Sequence, residues 1–319
     1  MRAFLTLALS ALLIFAAGSA WLALYPAVPA DLAGAPDLDA RATHVQIPVD
    51  GETIDGWLLP GTRPGVVVLF SGYARDHHRM WRYAQFLRHD GWTILAVDFR
   101  SVRAQHRKPT TLGYWELRDA RATLDWLRAQ PQYAHERLAL FAESLGASVA
   151  LVLAAERTDV TAVVADCPFA DGHQALQDAF TYVAHLPAWP LAPIARFVAT
   201  RVSGQDPEQL DAVAAVARRG DRPLLLIQST AEDRFSKRAV AALEQAAGAH
   251  AQRWTLADCG HNAAWLVHRE QYERTTREFL RGVLAPPVPV HVLPAARTLT
   301  PPRTPRSASR NLHPRTVSA

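Results

Sequence analysis

Cysteine is scarce in this 319-residue chain, with only Cys167 and Cys259 present. Two cysteines exclude a disulfide-dense scaffold and any four-cysteine zinc site. A dominant charge is missing as well. Lys and Arg number 34 against 30 Asp and Glu, a formal +4. The excess lies at one end. Residues 285–319 hold Arg297, Arg303, Arg306, Arg310 and Arg315, and no Lys, Asp or Glu. Removing those five from the 34 leaves 29 basic residues against 30 acidic ones. So neutral a body carries no bulk signal of a nucleic-acid-binding face. No Gly-rich loop with a Lys follows a strand pattern, which leaves nucleotide chemistry unsupported. Collagen-like and coiled-coil compositions are absent. The 49% hydrophobic and 20% charged content is globular usage, not that of a disordered chain.

One long hydrophobic run does occur, at the N-terminus. After Met1-Arg2-Ala3, residues Phe4 to Tyr25 are almost unbroken apolar. As a helix at 1.5 Å per residue the run reaches about 33 Å, enough for a bilayer core of about 30 Å. Arg2 precedes it, and Asp31, Asp37 and Asp39 come after it before the next base, Arg41. The positive-inside rule then keeps Arg2 in the cytoplasm and sends the body outward. Residues 1–30 are therefore expected to be either of two things. One is a membrane anchor, with Trp21 and Tyr25 at its far edge. The other is a signal peptide cleaved near Gly18-Ser19-Ala20. Either fate puts the body on the periplasmic or extracellular side. Residues 285–319 contain eight Pro beside the five Arg. They predict a disordered basic tail, because Pro removes donors and fixes φ.

Between the ends, short β-branched runs alternate with amphipathic stretches. Strands are predicted at 44–49, 53–59, 66–70, 93–98, 138–141, 160–165, 224–228 and 252–256. Helices are predicted at 78–88, 114–130, 145–155, 236–247 and 262–281. Asp50-Gly51 joins the first two strands as a hairpin. The strand–helix alternation after that implies a mainly parallel sheet covered by helices on both faces. Such sheets place ligand chemistry at the carboxyl ends of their strands.

The residues just beyond each strand are therefore informative. After Phe141 comes Ala142-Glu143-Ser144-Leu145-Gly146-Ala147, and a helix pattern begins at once. This is the strand–turn–helix setting of a nucleophile elbow, with Ser144 as nucleophile. A serine needs a base, and His261 stands on the loop Asp258-Cys259-Gly260-His261-Asn262 after the last strand. A carboxylate should orient the imidazole, and the loop after 224–228 offers Glu232 and Asp233. Glu232 better matches the distance from the strand. Asp233 has the commoner residue type, which tips the reading toward it. Oxyanion-hole donors are expected from the backbone N–H groups of Leu145 and of Tyr73 in Ser71-Gly72-Tyr73. No cofactor is required and no metal site is expected. His77-His78 lack partner spacing for a metal. Both cysteines come after strands that should flank strand 224–228. Their Cα atoms should then exceed the ~7 Å limit for a bridge, so free thiols are predicted.

These residues resemble the α/β-hydrolase superfamily, in particular its single-domain serine esterase and lysophospholipase-like branch. The resemblance covers roughly residues 44–284. It rests on Phe70-Ser71-Gly72-Tyr73, Asp98-Phe99-Arg100, Gly113 with Glu116 and Asp119, the Ser144 elbow, Glu232-Asp233 and Gly260-His261-Asn262. Three departures are visible. Ser71 replaces the usual His, Ala142 replaces the first elbow Gly, and Ser101-Val102-Arg103-Ala104-Gln105 stands where a Gly-x-Gly turn is usual. The resemblance implies an α/β-hydrolase fold over residues 40–284, with an eight-stranded sheet and a small cap, about 169–220, after the sixth strand. The apolar cap residues Phe180, Tyr182, Leu186, Trp189, Leu191, Ile194 and Phe197 would roof an acyl pocket or pack on the sheet, with Pro187, Pro190 and Pro193 breaking the segment into short pieces. No Asp stands at the elbow, which argues against haloalkane-dehalogenase chemistry. The implied function is an exported serine hydrolase acting on a small-molecule carboxylic ester with an apolar acyl group, in contact with membrane through its N-terminal segment and not with nucleic acid. The alternatives are a thioesterase or peptidase using the same triad, or a catalytically silent binding module on the same fold.

Overall fold

In the computed structural model, residues 1–29, 38, 40–103 and 108–285 are described. Asp31, Asp37, Asp39, Ala104, Gln105 and the Pro/Arg tail beyond Ala285 lie outside the described residues. Eight strands form one sheet: β1 (Thr43–Val49), β2 (Glu52–Leu59), β3 (Val66–Phe70), β4 (Thr93–Asp98), β5 (Leu138–Glu143), β6 (Val160–Asp166), β7 (Leu224–Ser229) and β8 (Gln252–Leu256). Their spatial order is β1-β2-β4-β3-β5-β6-β7-β8. β1 and β2 pair antiparallel, as do β2 and β4. From β4 to β8 every pairing is parallel. The β1–β2 turn uses Asp50 (φ 51) and Gly51 (φ 78), two left-handed residues whose twist matches the strands they join.

The parallel strands β3, β4, β5 and β7 are buried at every position. They are runs of Val, Leu, Ile and Ala without alternation, because helices cover both faces. On one face lie α3 (Tyr114–Arg128), α4 (Ser144–Glu156) and α8 (Lys237–Ala247). They pack Leu124, Val149, Leu153 and Leu243 against Val68, Leu140 and Leu226. On the other lie α2 (His77–His89) and α10 (Arg269–Leu284), whose Trp81, Tyr83, Tyr272 and Leu280 meet Leu69, Phe141 and Ile227. The helix predicted at 262–281 is divided. α9 (Ala264–Val267) ends at His268, whose φ −122 and ψ 44 are not helical, and α10 begins after it.

Several residues behind the resemblance brace the sheet edge. Glu116 is buried at the start of α3 and accepts from Thr110 Oγ1 (2.6 Å), Thr111 Oγ1 (3.0 Å) and the Gly113 N–H (3.0 Å). Asp119 accepts from the Arg100 N–H and Nε, both at 2.8 Å. Asp98 holds the N–H of His77 at 2.5 Å and its Nδ1 at 3.0 Å. Each buried carboxylate thus meets several donors, which is the condition for keeping it inside.

The cap between β6 and β7 contains α5 (Gly172–Asp178), a π-turn at Ala179–Val183, α6 (Ala188–Ser203) and α7 (Ala212–Arg218). The prolines interrupt α6 once, near its start. Trp189 is non-helical (φ −91, ψ 129), so the regular turns start at Pro190, and Pro193 falls in the first turn. Pro190 opens those turns, a position where an N–H would have no helical acceptor anyway. Phe180, Leu191, Ala192 and Ala195 pack against Ala16 and Ala20 of the N-terminal helix α1 (Arg2–Leu24). Trp189 and Phe197 face outward, 78% and 60% exposed. The apolar cap residues therefore go to α1 and to solvent rather than to a roof. The side chains of Arg2, Leu5, Ala8 and Leu9 are not among those described. Among the described residues, no helix is long and apolar enough to cross a membrane.

Candidate active site

β5 runs into α4 with no intervening residue, and Ser144 takes up the reversal at φ 51. A non-glycine residue in that region costs of order 1–3 kcal/mol and marks functional turns. The turn closes because its neighbours are small. A Cβ on Gly146 would lie 2.5 Å from the Ser71 carbonyl oxygen and 2.6 Å from that of Phe70. A Cβ on Gly72 would lie 3.1 Å from that of Ser144. These two glycines let the Ser71-Gly72-Tyr73 turn press against the serine. The Leu145 N–H, in the first turn of α4, has no acceptor inside the helix. The Tyr73 hydroxyl donates to the Ala23 carbonyl at 2.7 Å, and the Ser71 hydroxyl to that of Arg75 at 2.6 Å.

Beneath the elbow, Glu143 is 2% exposed. It accepts from Arg79 Nε (2.8 Å), Arg82 Nη2 (2.7 Å) and the Tyr83 hydroxyl (3.0 Å). Burial pushes its carboxyl up, but Arg82 and Arg79 more than offset this and hold it below the usual range. The residue before Ser144 is thus an anion clamped to α2. In β6, burial and then the nearby Glu143 charge raise Asp166 to about 6, against the donated Tyr272 hydroxyl at 2.8 Å.

Three loops at the carboxyl edge meet above Ser144. His261, after β8, places Nε2 2.9 Å from Ser144 Oγ. Its Nδ1 lies 2.8 Å from Glu232 Oε2. The imidazole and carboxylate side chains are 7% and 4% exposed, so water competes little for this bond. Against a carboxylate, Nδ1 carries the proton and Nε2 is left to accept from the serine hydroxyl. Phe235 packs edge-on to the imidazole, with ring centroids 5.1 Å apart.

The preference for Asp233 is reversed here, since Glu232 is the acid on the imidazole. Glu232 is nearer the end of β7, and its longer side chain spans the gap. Asp233 is exposed and does not reach the ring nitrogens in any hydrogen bond. Its Oδ1 accepts weakly from the His261 N–H at 3.4 Å, and its carboxylate lies against Gly260. Leu145 directly follows the serine, and Gly72, the residue before Tyr73, lies against it.

Two neighbours of the imidazole were not legible in the sequence. Phe235 carries no motif. Cys167, after β6, lies in the left-handed region (φ 48). Its Sγ, a Glu232 carboxylate oxygen and a His261 ring nitrogen all fall within 4.8 Å of one another. Burial holds its thiol well above the usual range. Both cysteines are free and buried, as strand order requires. Asp76 joins His77 and His78 within the same distance, a partner that sequence spacing alone did not supply. The His77 ring is already committed, stacked on Trp57 and bonded to Asp98.

The relatives agree with this architecture. The esterase Pf2001 of Pyrococcus furiosus superposes with a TM-score of 0.67 at 24% identity, over 81% of this chain and 97% of that one. An acylaminoacyl peptidase from Pyrococcus horikoshii superposes with a TM-score of 0.59 at 16% identity, over 76% of this chain and 41% of that one. Among curated sequences, the uncharacterized protein YqkD of Bacillus subtilis is 24% identical over 72% of this chain and 76% of its own length. The uncharacterized protein Rv2307c of Mycobacterium tuberculosis is 28% identical over the same shares. Residues 61–222, just over half of the chain and including the Ser144 elbow, match the family model Hydrolase_4, described as serine aminopeptidase, S33. That match and the sheet order together make this chain a member of the serine aminopeptidase S33 family within the α/β-hydrolase superfamily.

Proposed function

We propose that the protein is a serine hydrolase that cleaves carboxylic esters through an acyl-enzyme. The observation that carries this reading is the continuous chain Ser144 Oγ–His261 Nε2 (2.9 Å) and His261 Nδ1–Glu232 (2.8 Å) across three post-strand loops. Ser144 attacks the acyl carbonyl and His261 takes its proton, then gives it to the leaving alcohol. Glu232 keeps Nδ1 protonated and stabilises the imidazolium. The Leu145 and Tyr73 N–H groups bind the oxyanion, and one lost donor of this kind costs about 3 kcal/mol. Water, deprotonated by His261, releases the acyl group. The ester preference is supported by the Pyrococcus furiosus esterase, which matches over nearly its whole length. The family description favours a second reading, the hydrolysis of peptide amides at an amino terminus.

We also propose that the body acts outside the cytoplasmic membrane, held at its surface by the Phe4–Tyr25 run. The outward Phe4, Leu7, Ile14 and Leu22 of α1 support this, at 70–74% exposure. Membrane fractionation with N-terminal sequencing tests it, and a soluble cytoplasmic protein would refute it. For the chemistry, a fluorophosphonate probe should label wild type and not Ser144→Ala. p-Nitrophenyl esters of graded chain length, run beside amino-acid p-nitroanilides, separate esterase from aminopeptidase. Absence of labelling would leave only a silent binding module.

A further inference from the structure

Cys167 and Cys259 are equally buried, each 4% exposed, but their surroundings differ. Cys259 belongs to the apolar layer with Leu256, Ala264 and Tyr272. Cys167 belongs to neither main apolar layer. Its sulfur instead sits within 4.8 Å of a Glu232 oxygen and a His261 nitrogen, and those two groups are themselves 2.8 Å apart through Nδ1. The adjoining Asp166, fully buried, acts on the same thiol and has an Oδ1 without a hydrogen-bond partner. A thiol, an imidazole and a carboxylate converge, with a second carboxylate behind them.

We propose that Cys167, Glu232 and His261 form a binding site for a soft divalent cation, Zn²⁺ or Cd²⁺, and that filling it switches off Ser144. The inference rests on His261 being the base of the proposed hydrolase. Thiolate, imidazole and carboxylate are the ligand types such ions take, at about 2.3, 2.0 and 2.1 Å. Around a tetrahedral ion those lengths put ligand atoms roughly 3.3–3.6 Å apart. The Glu232–His261 pair, 2.8 Å apart, has to open by about 0.5 Å, and the thiol, within 4.8 Å of both, has to close by no more than about 1.5 Å. Water completes the fourth position.

The proton balance explains the inhibition. The Cys167 thiol loses its proton to solvent and the sulfur binds the ion. The ion takes the Nδ1 lone pair, so the ring proton moves from Nδ1 to Nε2. Glu232 stays ionised and turns its Oε2 from the ring to the metal, while Oε1 keeps the Arg234 N–H at 2.8 Å. One proton leaves in total. His261 then presents N–H, not a lone pair, to Ser144 Oγ, and the serine has no base.

Cd²⁺ added to the full chain should raise a thiolate-to-metal charge-transfer band in the ultraviolet, saturating at one ion per chain. The band should vanish in Cys167→Ala and Cys167→Ser and persist in Cys259→Ala. Zn²⁺ should inhibit ester hydrolysis reversibly, with EDTA restoring the rate. Both Cys167 variants should keep the metal-free rate within about threefold and need at least tenfold more Zn²⁺ for half-inhibition. Two variants guard against one that fails to fold. A band absent from wild type, a band kept without Cys167, or equal inhibition of the variants would overturn the proposal. Wild type that neither turns over esters nor takes the fluorophosphonate without metal would instead sink the hydrolase reading, and the Cd²⁺ band still tests the site.

Discussion

Glu232→Gln removes one charge from a pair that water hardly reaches. The carboxylate lies 2.8 Å from Nδ1, and both side chains are less than a tenth exposed. During acyl transfer the imidazole becomes a cation, and this anion opposes it. At an effective dielectric of about 20, unit charges about 4 Å apart attract by about 4 kcal/mol. At 1.36 kcal/mol per decade, losing that attraction slows kcat by ~10³. An amide that turns its NH₂ toward Nδ1 also selects the wrong tautomer, taking the loss to ~10⁴. Asp233→Asn is the contrast. Its oxygen accepts one long bond, 3.4 Å, from a backbone N–H, and the Asn carbonyl can accept the same bond. Its kcat should fall less than about tenfold. Steady-state hydrolysis of a p-nitrophenyl ester measures both, with circular dichroism confirming the fold. A large loss in Asp233→Asn, with Glu232→Gln within tenfold of wild type, would refute the assignment.

Four further outcomes are expected. Ser144→Ala and His261→Ala should each lower kcat by at least ~10³, and the double variant should be little worse, because nucleophile and base act as a unit; losses that multiply would contradict that. Gly146→Ala drives a methyl into two carbonyl oxygens at 2.5 and 2.6 Å. It should lower both Tm and kcat by shifting α4 from β3, whereas Gly282→Ala, with open space around it, should leave kcat unchanged. Asp166 has its folded pKa raised to about 6 from 3.8. Its contribution to stability is therefore full below about pH 4 and lost as pH rises through about 6, roughly 3 kcal/mol in all. Asp166→Asn should flatten urea-denaturation stability across that window, and profiles that stay parallel to wild type would count against it. Non-reduced mass spectrometry should find two free thiols, since β7 separates the strands that precede Cys167 and Cys259; a bridge between them would require a different strand order.

The strands were legible because the central parallel ones are short, mostly apolar runs without alternation, and nearly every predicted strand boundary falls within two residues of the observed one. Ser144 and His261 were legible because an elbow and a post-strand loop are local patterns. What escaped is set by three-dimensional reach. Glu232 and Asp233 are adjacent, and only the direction of the turn after Ser229 decides which one meets the ring. Cys167 comes to the imidazole through the β6–β7–β8 order, a relation between residues about 65 and 94 positions apart that no spacing rule expresses. His268 interrupts the last helix by backbone angles alone, while the apolar periodicity runs on through it.

The far end of α1 is hooked to the catalytic edge at two points. The Tyr73 hydroxyl holds the Ala23 carbonyl at 2.7 Å, and the Thr110 N–H holds that of Leu24 at 2.9 Å. A protease that removed the apolar run would therefore release both of these bonds. It would unhook the turn that supplies the Tyr73 N–H and leave that turn free to relax. On the proposed mechanism, intact and trimmed chains, with the same Ser144, His261 and Glu232, would be two catalysts of different speed.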